Sequence, residues 1–191
     1  MNKRALILDG RIEDDTIAER SLELAEAWFA ARHWDVTTRK LRELDIADCL
    51  GCFGCWVKSP GECVIDDAGR DVARSIVNSD VVVYLTPIQF GGYSYQLKKA
   101  VDRSIPIISP YFRMVNGEVH HKKRYDSYPS MAAFGWSVDR SEEARDVFEM
   151  VVKRNAINMM APQTAVGFLE SEDVRDIEQQ VARVLGEVCG R

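Results

Sequence analysis

The sequence predicts a doubly wound α/β fold, with a five-stranded parallel sheet between two layers of helices. Three observations predict it. Short apolar runs alternate with helix-period segments along the whole chain, the pattern of repeated βα units. The run from Asp80 to Leu85 (Asp-Val-Val-Val-Tyr-Leu) has no polar alternation, so both its faces are covered, as in a parallel sheet. The 191 residues hold no internal repeat, low-complexity tract or Pro/Gly/Ser linker, which suits one domain over 1–191.

The elements follow in order. Arg4 to Asp9 is a short apolar run closed by Gly10, a buried strand. Thr16 to Arg32 reads as a helix with Ser21, Leu24, Ala25 and Trp28 on its inward face. Asp35 to Leu41 is a second strand, and a cysteine-rich loop at 48–65 follows it. Asp66 or Asp67 caps a helix running to about Val77. Thr86-Pro87 stops the strand that starts at Asp80, and Ser94 to Arg103 is helical. Residues from about 106 to 128 break the rhythm with Pro106, Pro110 and an Asn116-Gly117 turn, which predicts an inserted hairpin. Met131 to Phe134, stopped by Gly135, is the fourth strand of the sheet. A helix from Ser141 to about Asn158 has Glu142 and Glu143 in its first turn, where the dipole favours acids. Thr164 to Leu169 is the fifth strand. Ser171 starts a last helix to about Val188, with Val174, Ile177, Val181, Val184 and Leu185 inward. Ligands of such folds sit outside the C-terminal ends of the strands. Asp9–Thr16, Thr86–Gly92 and Phe134–Trp136 should therefore share one rim.

Composition excludes several classes. Hydrophobic residues are 46% and charged residues 29%, which excludes wholesale disorder. A net charge of −5 argues against a nucleic-acid partner. No apolar run approaches the ~20 residues that span a bilayer. Ala5 to Leu8, after Met-Asn-Lys-Arg, is too short for a signal-peptide core. The expected location is the cytoplasm, without a membrane partner. Neither a Gly-x-Ser-x-Gly elbow nor a phosphate-binding Gly-x4-Gly-Lys-Ser/Thr loop occurs.

Four of the five cysteines, Cys49, Cys52, Cys55 and Cys63, form a Cys-x2-Cys-x2-Cys-x7-Cys array. In a reducing cytosol such a group is metal-binding or catalytic rather than disulfide-bonded. Three cysteines at intervals of three cannot share one strand face. They can wrap a small object, with Gly51 and Gly54 supplying backbone freedom. A compact triplet with a more distant fourth resembles the ligation of a [4Fe–4S] cubane. The same sulfurs could hold tetrahedral Zn, or a Cys-x2-Cys pair could act as redox thiols. Cys189 reads as an ordinary helix residue, and His33 as a helix-end residue. Arg113, His120, His121, Lys122, Lys123 and Arg124 are the one basic concentration in an acidic chain. They could steer an anionic partner or be a solvated hairpin. Tyr111, Phe112 and Tyr125 could pack that hairpin over a ligand or a second subunit. His120 and His121, adjacent on a strand, should point to opposite faces.

The segment from Thr86 to Lys98 (Thr-Pro-Ile-Gln-Phe-Gly-Gly-Tyr-Ser-Tyr-Gln-Leu-Lys), with Asp102-Arg103 behind it, resembles the strand-3 loop and helix of NAD(P)H-dependent FMN reductases. Their usual form reads Ser/Thr-Pro-x-Tyr-x-Gly, then Leu-Lys, then Asp-Arg. Asp48–Cys55 and Cys63–Asp67 look like the iron–sulfur flavoproteins within that group. The resemblance implies a flavodoxin-like sheet of order 2-1-3-4-5 and bound FMN. It also implies a [4Fe–4S] cluster on Cys49, Cys52, Cys55 and Cys63, electrons from NAD(P)H or ferredoxin, and a homodimer or homotetramer. Carried over residue by residue, Gly10, Arg11 and Thr16 would meet the flavin phosphate. Pro87, Ile88, Gln89, Phe90 and Gly91 would meet the ring, and Gly135 and Trp136 would form the third flavin loop. Gln89 departs from the family's tyrosine. Glu13, Asp14 and Asp15 would repel a phosphate unless they point outward; their other reading is as caps of the first helix. Arg11 is either a bidentate phosphate clamp or a surface arginine paired with Glu13 or Asp14. Trp136 either flanks the ring or fills core or interface. A flavin beside a cluster would convert hydride pairs into single electrons. Two alternatives are a cluster-free FMN or quinone reductase, and a non-enzymatic flavodoxin-like module with zinc on its cysteines.

Overall fold

A computed structural model describes residues 2–137 and 141–190. In chain order the elements are β1 (Arg4–Asp9), α1 (Thr16–Ala30), β2 (Asp35–Lys40), α2 (Gly54–Val57), α3 (Ala68–Val77), β3 (Val81–Pro87), α4 (Tyr95–Arg103), β4 (Ile108–Val115), β5 (Glu118–Lys123), β6 (Ser130–Trp136), α5 (Glu142–Asn158), β7 (Thr164–Phe168) and α6 (Val174–Cys189). Five parallel strands form one sheet in the order β2-β1-β3-β6-β7. Without the hairpin strands, this is the expected 2-1-3-4-5 order of a flavodoxin-like fold. The antiparallel pair β4–β5 stands apart as its own two-stranded sheet.

Side-chain alternation along the strands builds two cores. Leu6, Leu8, Val82, Tyr84 and Met131 face α3, α4 and α5 through Val72, Ile76, Leu97, Phe148 and Val152. Ala5, Ile7, Val83, Leu85 and Phe134 face α1 and α6 through Ala18, Leu22, Phe29, Val181 and Leu185. β1, β3 and β6 are therefore covered on both sides, which explains their unbroken apolar sequence.

The helix starts follow side-chain chemistry. Asp15, Asp67, Ser94, Ser141 and Asp173 each accept a hydrogen bond from an amide of the following turn. Three sequence expectations shift. The buried face of α1 is Ala18, Ser21, Leu22, Ala25 and Phe29, rotated from the one expected, because Trp28 packs only partly at the margin. The last helix starts at Val174 rather than Ser171, with Asp173 as its cap, and Val174 itself is exposed. The backbone freedom of the cysteine loop lies at Gly51 and at Phe53 (φ 54°). Gly54 is held instead by packing, since a Cβ there would meet Val64 Cγ1 at 2.6 Å.

Asn116 and Gly117 both adopt positive φ and turn β4 into β5, as a two-residue hairpin requires. The base of the hairpin is tied down by Tyr128, which donates to the Ile107 carbonyl at 2.6 Å, and by Arg124, which donates to the Pro106 carbonyl at 2.9 Å.

Candidate functional site

The C-terminal ends of β1, β3 and β6 bring the three expected loops to one rim. Ser94, at the start of α4, ties two of them: its hydroxyl donates to the Gly10 carbonyl at 2.6 Å, and its amide donates to Thr86 Oγ1 at 2.9 Å. The Gly10 amide donates to the Leu85 carbonyl at 2.7 Å. A Cβ at Gly10 would lie 2.8 Å from Leu97 Cβ, so glycine lets α4 sit against β1. The expected third loop is instead the end of β6, since the strand does not stop at Gly135 but runs on to Trp136, and that end is tied to the first loop. Trp136 Nε1 donates to Asp15 Oδ2 at 2.9 Å, while the other Asp15 oxygen accepts the Ala18 amide at 2.9 Å. Trp136 is thus a buried brace between β6 and α1, in accord with its core reading.

The β1–α1 loop differs from an open phosphate cradle. Arg11 is buried, and its guanidinium makes a two-pronged pair with buried Asp9, at 2.7 and 2.9 Å to Oδ2. This corrects the reading of Arg11 as a surface arginine paired with Glu13 or Asp14: its guanidinium is buried on Asp9. A buried guanidinium needs a carboxylate partner, and Asp9, two residues back on the strand end, supplies it. Asp14 pairs instead with Arg42 at 2.6 Å, and the Arg42 hydrogen bond and charge hold its carboxyl below the usual range. Thr16 is exposed at the first position of α1.

In the β3–α4 loop, Gln89 and Gly92 exchange both backbone hydrogen bonds, at 2.8 and 3.0 Å. Phe90 (φ 50°) and Gly91 (φ 75°) form the turn between them. Positive φ is uncommon for a bulky residue, yet Phe90 takes it at the tip and is fully exposed. Gly91 has a second constraint, because a Cβ there would lie 2.6 Å from Val147 Cγ1 on α5. Ile88 turns into the core, and its amide donates to the Trp136 carbonyl at 2.7 Å. Gly135 packs under Phe148, where a Cβ would meet a ring carbon at 2.8 Å. Pro87 is the last residue of β3.

The cysteine loop gathers elsewhere. Cys49, Cys52, Cys55 and Cys63 line one pocket with Leu50, Phe53, Ile65, Ile105 and Arg103. Burial raises the Cys55 thiol above its ordinary value, and charge on Cys63, Cys49 and Cys52 would raise it further. Among the described residues, no group of three or more His, Cys, Asp or Glu side chains is positioned to hold a single metal ion. The pocket lies at the C-terminal end of α4, while the rim formed by the strand ends lies at its N-terminal end. Nine residues of helix, about 13 Å at 1.5 Å per residue, separate the two.

Sequence reasoning missed the groups that hold this loop. Arg103 pairs with Asp67 through two contacts of 2.7 Å. Phe53 stacks on Trp56, Trp56 lies against His121, and His121 lies against Phe112, with centroid distances of 5.3, 4.8 and 4.9 Å. This aromatic file joins the cysteine loop to the hairpin. Its members are distant in sequence, so spacing carries no signal for it. His120 faces the other way, toward Asn158 and Glu118, as strand alternation required.

The sheet order and the ligand rim define a flavodoxin-like α/β protein. The chain belongs to the NADPH-dependent FMN reductase family, whose model matches residues 4–164. An iron–sulfur flavoprotein of Methanocaldococcus jannaschii is 34% identical over 67 residues, 35% of this chain and 34% of that protein. One from Methanosarcina thermophila is 26% identical over 102 residues, 53% of this chain and 50% of that protein. The chain thus spans about a third to a half of the length of these relatives. Among solved structures, an NAD(P)H:quinone oxidoreductase from Methanothermobacter marburgensis matches with TM-score 0.72 at 12% identity, covering 100% of this chain and 98% of that one. An FMN-dependent NADH-azoreductase from Bacillus anthracis, in complex with FMN, matches with TM-score 0.67 at 12% identity, over 96% and 99% of the two chains. At such identities the likeness shows the fold. No helix among the described residues is long and apolar enough to cross a membrane.

Proposed function

We propose that this protein is an FMN-dependent oxidoreductase that takes electrons from NAD(P)H, or from a redox protein such as ferredoxin, and carries a [4Fe–4S] cluster on Cys49, Cys52, Cys55 and Cys63. One observation carries the reading: in a chain of the FMN reductase family, all four thiols of the array line a single pocket. The remaining lining is apolar apart from Arg103. Sulfur ligands in an apolar shell, with a buried cation near a negative core, suit an iron–sulfur centre. Bound FMN would supply hydride and single-electron chemistry, and the protein would supply position.

The rim fits the two ends of FMN unequally. Exposed Phe90, held in a sparsely populated backbone conformation, suits stacking on a flat ring, and such strain clusters at functional sites. On this reading the β1–α1 loop offers the phosphate little. Asp15 occupies an N-terminal amide of α1, Arg11 is turned onto Asp9, and Glu13 adds charge of the wrong sign. The reading therefore places little of the flavin affinity in the phosphate, and Gly10, Arg11 and Thr16 serve it as scaffold. A homo-oligomer belongs to the same reading: Tyr111, Phe112, Met114 and Val119 stand exposed on the hairpin.

The test is a visible spectrum of protein purified without oxygen, with metal analysis of the same sample. Flavin bands over a broad iron–sulfur absorbance that bleaches with dithionite are expected. Flavin without iron would replace the proposal with a cluster-free FMN or quinone reductase. A colourless, zinc-bearing protein that ignores added flavin would replace it with a binding module.

A further inference from the structure

Arg103 is the last residue of α4, its side chain is fully buried, and it lines the cysteine pocket. A guanidinium has five N–H donors in a fixed plane. Four are used. One terminal nitrogen donates to Asp67 Oδ2 at 2.7 Å and to the Ala47 carbonyl at 2.9 Å. The other donates to Asp67 Oδ1 at 2.7 Å and to the Ile65 carbonyl at 3.1 Å. Ala47 stands two residues before Cys49, and Ile65 two residues after Cys63. Asp67 also accepts the Ala47 amide at 2.9 Å. One buried side chain thus closes both ends of the segment that carries the thiols. The fifth donor, Nε–H, is buried without a partner, and Cys63 and Arg103 line the same two pockets. A buried donor left unpaired is costly, so its environment calls for an acceptor in the pocket.

We propose that Arg103 is the positioning residue of the cysteine site, clamping the two ends of the loop and donating its Nε–H to the Cys63 sulfur when that sulfur is a cluster ligand. The inference rests on the cluster reading above. Arginine suits the task because its planar fork reaches a carboxylate and two carbonyls at once, which an ammonium cannot do. A donor to a ligating sulfur withdraws charge from it and favours the reduced cluster, so it raises the reduction potential. Arg70 also touches Cys63, but it donates to the backbone carbonyl, at 2.8 Å.

The experiment uses the full chain, reconstituted anaerobically with iron and sulfide and labelled with 15N only in arginine. Pulsed electron paramagnetic resonance of the reduced cluster should show a nitrogen coupling that survives Arg70→Lys. In Arg103→Lys that coupling should vanish, the midpoint potential should move negative, and iron affinity should fall roughly tenfold or more, with the far-UV spectrum unchanged. If Arg103→Lys does not fold, the coupling in the otherwise wild-type protein decides alone. A cluster that forms normally but shows no arginine coupling, or an Arg103→Lys protein with unaltered potential and iron content, overturns the role of Arg103 and leaves the cluster standing. A wild type that takes up no iron overturns the cluster and this inference with it.

Discussion

Single side chains decide what each end of α4 can do. At one end the Asp67 carboxyl is subject to burial, which would raise its pKa, but hydrogen bonds from Arg103 and the Ala47 and Gly69 amides overcome this and hold it below the ordinary carboxylate value. A carboxylate with a depressed folded pKa adds stability that is complete above the unfolded value and lost as pH falls through the folded one. The thermal midpoint of the metal-free protein should therefore drop as pH falls below the ordinary carboxylate range, near 3.8, and Asp67→Asn should flatten that part of the profile. Parallel curves for the two proteins would show that the pair adds nothing. At the other end, Gly91 combines positive φ with a Cβ position 2.6 Å from Val147. Gly91→Ala should cost roughly 1–3 kcal/mol through overpacking and strain, read from urea unfolding. A neutral result would mean that α5 yields easily.

At the scale of elements, the β1–α1 loop and the hairpin behave differently from their composition. Glu13, Asp14 and Asp15 look like one acidic patch, yet Asp15 is a cap and a partner of Trp136, and Asp14 is a partner of Arg42. With the start of α1 already capped by an anion, riboflavin should bind within about tenfold of FMN in a fluorescence titration, since a phosphate there gains little from the helix dipole. Asp15→Asn should improve FMN binding and leave riboflavin unchanged. A large preference of the wild type for FMN would show that the phosphate is held by other groups. A two-stranded hairpin is marginal alone, and here the Phe53–Trp56–His121–Phe112 file and the Trp56 hydrogen bond to the Ile108 carbonyl, at 3.1 Å, anchor it. Trp56→Leu should lower stability by about 1–3 kcal/mol and speed hydrogen exchange of hairpin amides. Unchanged exchange would mean that Tyr128 and Arg124 hold the hairpin by themselves.

For the whole molecule, the consequential feature of the proposed reading is that α4 runs between the rim and the cysteine pocket. Its capping Ser94 knits the rim, and its last residue, Arg103, closes the cysteine loop. Because the two lie at opposite ends of a rigid element, Cys52→Ser should remove iron without releasing flavin. Joint loss of both would show that the sites depend on each other. Much of this architecture was legible. The βα alternation, the helix starts at Asp67 and Ser94, and the Asn116-Gly117 turn all rest on interactions within a few residues. The pairings of Arg11 and Arg103 were not, since nothing local distinguishes a buried arginine from an exposed one.

The sequence by itself determined the sheet, its order through the family resemblance, the hairpin, and the grouping of four thiols in one loop. These follow from periodicity, turn chemistry and residue type, which act along the chain. Only the tertiary structure decided which polar groups meet: Asp9 with Arg11 inside the rim, Trp136 with Asp15 across it, and Asp67 with Arg103, 36 residues apart. Such pairs depend on which side chains lose water together, and that is settled when the layers close.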